Sequence, residues 1–148
     1  MKLRSSNGQA FDLSLVGYQF PTGPTEWHDR NWLNVRIDVV HPRGRWHSSE
    51  PSLLTSEVLE LADWLELIAA GALSVDDRPF IEPNLRFEVG NRALRIYFEL
   101  ESRPNWARAD GAGLNDLWIE LPLNELDLRA AASDLRQQLE RFPLRAGE

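Results

Sequence analysis

The sequence predicts an α+β protein in which an antiparallel β-sheet carries two amphipathic α-helices on one face. Three observations predict it. Apolar and polar residues alternate over 10–16, 32–40, 80–104 and 114–121, the period of half-buried strands. The stretch 80–104 is broken midway by Gly90-Asn91, a turn signal of antiparallel hairpins. Residues 55–70 and 124–142 instead repeat their apolar positions every three to four residues, as helices with one buried face do.

Length and composition bound the reading. A chain of 148 residues can bury roughly 70% of its unfolded surface without a disulfide or metal staple. It shows no internal repeat and no low-complexity linker, so residues 1–148 are expected to form one domain. The absence of cysteine removes thiol catalysis, disulfides and thiolate metal sites, and suits a reducing compartment. The opening MKLRSSNGQAFDLSL has no apolar signal core. No apolar run approaches the roughly 20 residues of a membrane span. A cytoplasmic protein without a membrane partner is therefore expected. The net charge of −7 argues against nucleic acid as a direct ligand, which needs a basic footprint. It suits a basic partner, although solubility alone also accounts for such a charge. Six tryptophans exceed the needs of a small core, and aromatic residues in loops often serve binding.

The elements follow in order. In 10–16, Phe11, Leu13 and Leu15 alternate with Asp12 and Ser14, a half-buried strand. Gly17 to Asn31 is a long loop rich in breakers, of the kind that is often functional. Its Tyr18, Phe20 and Trp27 either anchor it to the core or face a partner. Leu33, Val35, Ile37 and Val39 define a second strand, and His41-Pro42-Arg43-Gly44 a turn. Residues 45–53 return as a strand weakened by Pro51. Thr55 is placed to cap the first helix, Glu57 lies in its first turn and Gly71 ends it. Its buried face is Val58, Leu61, Ala62, Leu65, Ile68 and Ala69. The opposite side carries Glu60, Asp63 and Glu66 with Leu59, Trp64 and Leu67. Either the chain covers these apolar residues or they form an acidic-apolar patch for a partner.

Residues 72–79 read as a polar connection. In the hairpin, a two-residue Gly90-Asn91 loop sets Phe87 against Leu94 and Leu85 against Ile96, so that the apolar faces coincide. The same register opposes Arg86 to Arg95, Asn84 to Tyr97 and Glu82 to Glu99. Directly opposed like charges are unfavourable by roughly 0.2–1 kcal/mol per pair, so an outside group is expected to offset them. Glu82, Glu99 and Glu101 gather acid at the open end, with Arg103 near in sequence. Ser102 to Gly113 is a second long loop, carrying Trp106. Leu114 to Leu121 is a strand stopped by Pro122. Asn124 is placed to cap a final helix whose buried face is Leu128, Ala131, Ala132, Leu135, Leu139 and Phe142, and Leu144 to Glu148 is a frayed tail.

Little here points to catalysis. Glu82 and Glu99 on facing strands would approach the roughly 5–5.5 Å spacing of a retaining glycosidase pair, but Arg36 or Arg103 is placed to neutralise both. His28, His41 and His47 show no HxH or HExxH spacing. His41 and His47 with Glu50 would make a weak metal site at best. No catalytic residue, metal or cofactor is assigned. Acidic residues among aromatic ones on a rigid sheet instead suit an interface for a basic partner. The candidates are Glu82, Asn84, Tyr97, Glu99, Glu101 and Trp106, with Glu60, Asp63 and Trp64 of the first helix as a competing surface.

Several short runs together resemble the WapI family of bacterial immunity proteins. They are Gly17-Tyr18-Gln19-Phe20-Pro21, Asn31-Trp32-Leu33, Leu54-Thr55 with Glu57, and Trp64-Leu65, followed by Glu82-Pro83-Asn84-Leu85, Tyr97-Phe98-Glu99, and Pro104 with Trp106. The order and spacing of these runs carry the resemblance, from about Phe11 to Phe142. It implies a small cytosolic protein, encoded beside a polymorphic toxin, that binds the toxin's C-terminal domain and blocks it. In that family the toxin is often a nuclease acting on RNA. The resemblance carries over no catalytic residue. An adaptor for another basic partner, and a carboxylate-dependent hydrolase of a small polar substrate, remain as alternatives, and the oligomeric state is open.

Overall fold

The structure, a computed structural model, describes residues 1–22, 26–108 and 116–146. Four strands, β1 (Lys2–Arg4), β2 (Ala10–Tyr18), β3 (Trp32–His41) and β4 (Gly44–Leu54), form one antiparallel sheet in that order. Four more, β5 (Asp76–Pro79), β6 (Leu85–Gly90), β7 (Ala93–Phe98) and β8 (Trp118–Pro122), form a second antiparallel sheet, again in chain order. A short helix α1 (Trp27–Asn31) precedes β3, and a short α3 (Asn105–Arg108) follows β7. The two long helices are α2 (Thr55–Ala69), between the sheets in sequence, and α4 (Leu128–Arg141) near the end. The α+β class with antiparallel strands and two amphipathic helices is what the sequence predicts. The strands divide between two sheets because α2 intervenes between β4 and β5, and each sheet is a meander of sequence neighbours.

One core serves both sheets. The alternation that the sequence displays puts Leu13, Val35 and Ile37 of the first sheet and Leu85, Leu94 and Ile96 of the second into a single buried cluster. It also takes in Val58, Leu61 and Leu65 of α2 and Ala132 and Leu135 of α4. The ring of Phe11 crosses between the sheets, meeting Phe87 edge-on at 5.7 Å and Phe98 at 6.0 Å. Aromatic edge contacts of this kind add to the area that the rings bury.

At the free edge of β8 the two sheets are joined by side chains. Asn7 donates to the Glu120 carbonyl (3.1 Å), and the Gln9 side-chain oxygen accepts the Glu120 N–H (3.0 Å). Ser6 of the same β1–β2 turn donates its N–H to the Glu125 carboxylate at 2.9 Å. The N–H and C=O of Glu120, midway along this edge strand, are thus occupied, which guards against pairing with another chain. At the opposite edge, β5 carries Asp76, Asp77 and Pro79, charges and a proline that serve the same end. The sequence reads β5 as a polar connection because it lacks alternation; it is a strand because it pairs with β6 from Asp76 against Val89 to Pro79 against Arg86.

The hairpin register differs from the expected one by two residues. The observed pairs are Leu85 with Phe98, Phe87 with Ile96 and Gly90 with Ala93. The loop is therefore Asn91-Arg92, whose φ values of 51° and 60° are both positive, as a type I′ turn requires. A shift of two keeps the apolar faces together, so the pattern of hydrophobicity does not distinguish the registers. It does change every polar neighbour: Glu88 faces Arg95 and Arg86 faces Tyr97. The expected like-charge pairs Glu82–Glu99 and Arg86–Arg95 do not form.

Other boundaries differ for local reasons. Thr55 is not the cap of α2; its hydroxyl donates to buried Asn31 at 3.0 Å. The Glu57 carboxylate takes the capping role, accepting the N–H groups of Leu54 (3.0 Å) and Ile81 (2.8 Å). Gly71 ends α2 as expected, at φ 72°, the left-handed conformation of a helix stop. Asp127 rather than Asn124 caps α4, accepting from the Ala130 N–H at 3.0 Å. The segment after α4 is not frayed through Arg145: that residue's N–H and C=O both bond to Asn31, and its guanidinium lies 3.4 Å over the Tyr18 ring. Gly147 and Glu148, residues 23–25 and 109–113 of the two long loops, and the expected strand start at Leu114 lie outside the described residues.

Candidate functional site

Most candidate residues lie on two surfaces, and charge pairing separates these two. On the α2 surface the acids are matched by arginines. Arg78 pairs with Glu60, and Arg136 of α4 bridges Asp63 and Glu66, the latter at 3.2 Å. The hydrogen bonds to Asp63 and then Glu66 hold the Arg136 guanidinium above its ordinary value. Trp64 is 5% exposed. Its indole N–H donates to Asp76 at 2.8 Å, and its ring meets Phe87 at 6.5 Å. Of the two readings of Trp64, cover by the chain itself is the one observed, with Asp76 of β5 over its indole, so it is not an exposed part of the α2 surface. Leu59 and Leu67 stay exposed on this helix.

The second surface is the open end of the β6–β7 hairpin. Beyond the last ladder pair, the Glu99 N–H donates to the Asn84 carbonyl at 3.0 Å. Asn84 and Glu99 therefore extend the hairpin one pair beyond the ladder, while the Ile81 N–H turns to the Glu57 carboxylate of α2 at 2.8 Å. Asn84 is buried and donates its side-chain N–H to the Glu101 carboxylate at 3.3 Å, so it orients Glu101 rather than facing a partner. The Glu99 carboxylate is held by Arg103 at 3.0 Å. Arg103 itself is 3% exposed and donates its Nε–H to the Phe98 carbonyl at 3.0 Å. Arg103, one of the two candidates from sequence, thus neutralises Glu99. Glu82 and Glu101 have no cationic partner among the described residues, in contrast to Glu60, Asp63 and Glu66 of the α2 surface.

The outer face of the second sheet is a ladder of stacked and paired groups. Arg86 lies 3.8 Å over the Tyr97 ring and pairs with Asp77 at 3.0 Å. Arg95 pairs with Glu120 at 3.2 Å and lies 5.5 Å from the Trp118 ring. Tyr97 is only 7% exposed beneath these groups, so its expected exposure is corrected by the register that sets Arg86 across from it. Trp106 belongs to another cluster. It meets Trp46 edge-on at 6.0 Å and stacks under Arg43 at 4.4 Å. A Cβ at Gly44 would lie 3.7 Å from the Trp106 indole nitrogen, in ordinary van der Waals contact. Half-buried, Trp106 docks α3 onto the β3–β4 turn.

The geometry offers no carboxylate pair at the hairpin end, since Glu99 is bound to an arginine. His41 and His47 fall on opposite faces of the first sheet, as strand alternation demands. Among the described residues no group of three or more His, Asp or Glu side chains gathers as a metal site, and no helix is long and apolar enough to cross a membrane. Burial first, and then Arg43, hold the His41 imidazole below its ordinary value. Two apolar residues at the hairpin end escaped the sequence reading: Ile81 is 62% and Leu100 is 51% exposed. Alternation after Phe98 assigns Leu100 to the buried face, but a φ of 50° there turns the chain away. The only sequence signal was the breaker-rich SRP that follows.

Fold and surface define an α+β protein in which arginines pair Glu60, Asp63 and Glu66 of the α2 surface and Glu99 of the hairpin end, while Glu82 and Glu101 have no cationic partner among the described residues. Residues 2–143 match the immunity protein WapI-like family, and the chain belongs to that family. Membership supports the role of an immunity protein and bears out the resemblance read from the sequence. Comparisons with curated proteins and with solved structures gave no match.

Proposed function

We propose that this protein is a non-enzymatic inhibitor that binds the C-terminal domain of a cognate bacterial toxin in the cytoplasm and blocks it. The toxin domain is basic, as a nuclease is. Family membership supports the inhibitor role, and the net charge of −7 supports the sign of the partner. The single observation that carries the choice of surface is that Glu82 and Glu101 have no cationic partner among the described residues, whereas Glu60, Asp63, Glu66 and Glu99 have one. Acids already paired internally have less field to offer a partner. Unmatched acids beside a phosphate-binding cleft act as phosphate mimics and steer association.

The test is binding of the toxin domain encoded beside this gene, followed in real time at several salt concentrations. The double variant Glu82→Lys/Glu101→Lys is expected to slow association on the order of tenfold at low salt, the range seen for steering charges. The difference should shrink as salt screens the charges. Wild-type protein that neither binds this domain nor rescues cells expressing it would refute the proposal.

A further inference from the structure

We infer that Leu100 is the apolar anchor of this inhibitor, with exposed Ile81 in the segment leading into β6 as a second apolar contact, and that Leu100 seats in an apolar hollow on a basic protein face. The inference rests on the immunity reading above and names the contact that would supply its affinity.

Leu100 combines three properties that stability alone does not explain. Its side chain is 51% exposed, and that of Ile81 is 62% exposed. Its backbone sits at φ 50°, where a residue with a Cβ is strained and glycine or asparagine is the comfortable choice. The surrounding turn is also fixed from beneath by buried groups. The Ser102 hydroxyl bonds to the carbonyls of Asn84 and Glu99 and accepts the Glu99 N–H at 3.0 Å. The Arg103 N–H donates to the Leu100 carbonyl at 3.1 Å. A side chain held outward on a rigid turn loses little conformational freedom on binding. An apolar centre ringed by charge is the form of a binding hot spot.

Charge complementarity selects the occupant. Glu101 adjoins Leu100 and Glu82 adjoins Ile81, and neither acid has a cationic partner among the described residues. A second copy of this chain, with the same acids at the same place, would be repelled. A basic protein face would be drawn in and its charges matched at the rim.

The experiment compares Leu100→Gly with wild type, using a catalytically inactive form of the toxin domain encoded beside this gene as the probe. Affinity by calorimetry and unfolding by urea are measured on the same preparations. Leu100→Gly should keep or raise the unfolding midpoint, because glycine accepts the backbone conformation, while weakening binding at least tenfold. Ile81→Ser, which leaves the turn untouched, should weaken binding several-fold and serves if the glycine variant does not fold. Asp63→Lys, on the α2 surface, should change affinity by less than threefold. If wild type binds and both the Leu100 and Ile81 variants bind equally well, the anchor is refuted and the immunity reading stands. Self-association of wild type that Leu100→Gly abolishes would likewise overturn it. If wild type does not bind at all, the function proposed above has failed, and this inference with it.

Discussion

Asn31 uses its whole hydrogen-bonding capacity inside the protein. Its amide donates to the carbonyls of Trp27 (2.9 Å) and Arg145 (3.0 Å), and its side-chain oxygen accepts from the Thr55 hydroxyl (3.0 Å) and the Arg145 N–H (2.8 Å). One fully buried side chain thereby ties α1, the start of α2 and the segment after α4 together. Removing it leaves buried groups without partners, which costs about 1–3 kcal/mol for each group that water cannot reach. Asn31→Ala is accordingly expected to lower the unfolding free energy by about 2 kcal/mol, read from urea denaturation. Hydrogen exchange at the Arg145 amide should accelerate in the same variant, since its acceptor is gone. Unchanged exchange there would show that the segment is held by Arg145 over Tyr18 and not by Asn31. The sequence offers no warning of this residue: an asparagine after a breaker-rich loop reads as a turn former, and three of its four hydrogen bonds go to two distant residues, Thr55 and Arg145.

At the scale of elements, the hairpin shows what the pattern of residues can and cannot decide. Alternation identifies β2, β3, β6 and β7, and helical spacing identifies the buried faces of α2 and α4, because burial imposes those periods directly. Register is different, since a slip of two residues leaves both faces intact. The turn resolved it: Asn91 and Arg92 take positive φ, and Gly90 pairs with Ala93 instead of entering the loop. Arg92 is the costly member, an L-residue in a conformation that disfavours a Cβ by roughly 1 kcal/mol. Arg92→Gly gives the preferred Asn-Gly loop. It is expected to raise stability by about 0.5–1 kcal/mol, net of the extra freedom glycine gains when unfolded, in the same urea assay. A loss of stability would mean that the Arg92 side chain carries a contact that outweighs the strain. The candidate site was legible only in part for the same reason. The acids Glu82, Glu99 and Glu101 were visible as a cluster, but which of them is neutralised depends on the fold, which buries Arg103 against Phe98 and Glu99. Leu100 was hidden because its departure from the strand is made by a backbone angle that no residue type announces.

For the molecule as a whole, charge and pH act through different groups in different ranges. Lys2 is the only lysine among the sixteen basic residues, so, apart from the N-terminal ammonium on Asp134, the ion pairs of the described residues are made by guanidinium groups that stay charged throughout. Hydrogen bonding from Arg36 holds Asp38 below the usual carboxylate range, and Ser5 and Ser6 do the same for Glu125. The stability these two carboxylates contribute is present above their unfolded values near 4 and is lost as pH falls through the lower folded ones. His41 acts earlier. Burial among Trp46 and Trp106, and the charge of Arg43, depress its value against one opposing backbone bond with Trp118. The unfolded chain then binds a proton at higher pH than the folded one, so the contribution is complete above about pH 6.5 and falls as pH drops toward the depressed folded value. Urea midpoints measured at steps from about pH 7.5 to 5 are therefore expected to decline below about pH 6.5. In His41→Asn, which cannot titrate, the decline attributable to this group should vanish while the acid loss below about pH 4 remains. An identical pH profile in the two proteins would place the titrating group elsewhere. Because the His41 cluster holds α3 and the start of the Ser102–Gly113 loop, the same acidification should also speed proteolysis within that loop before the rest of the protein unfolds.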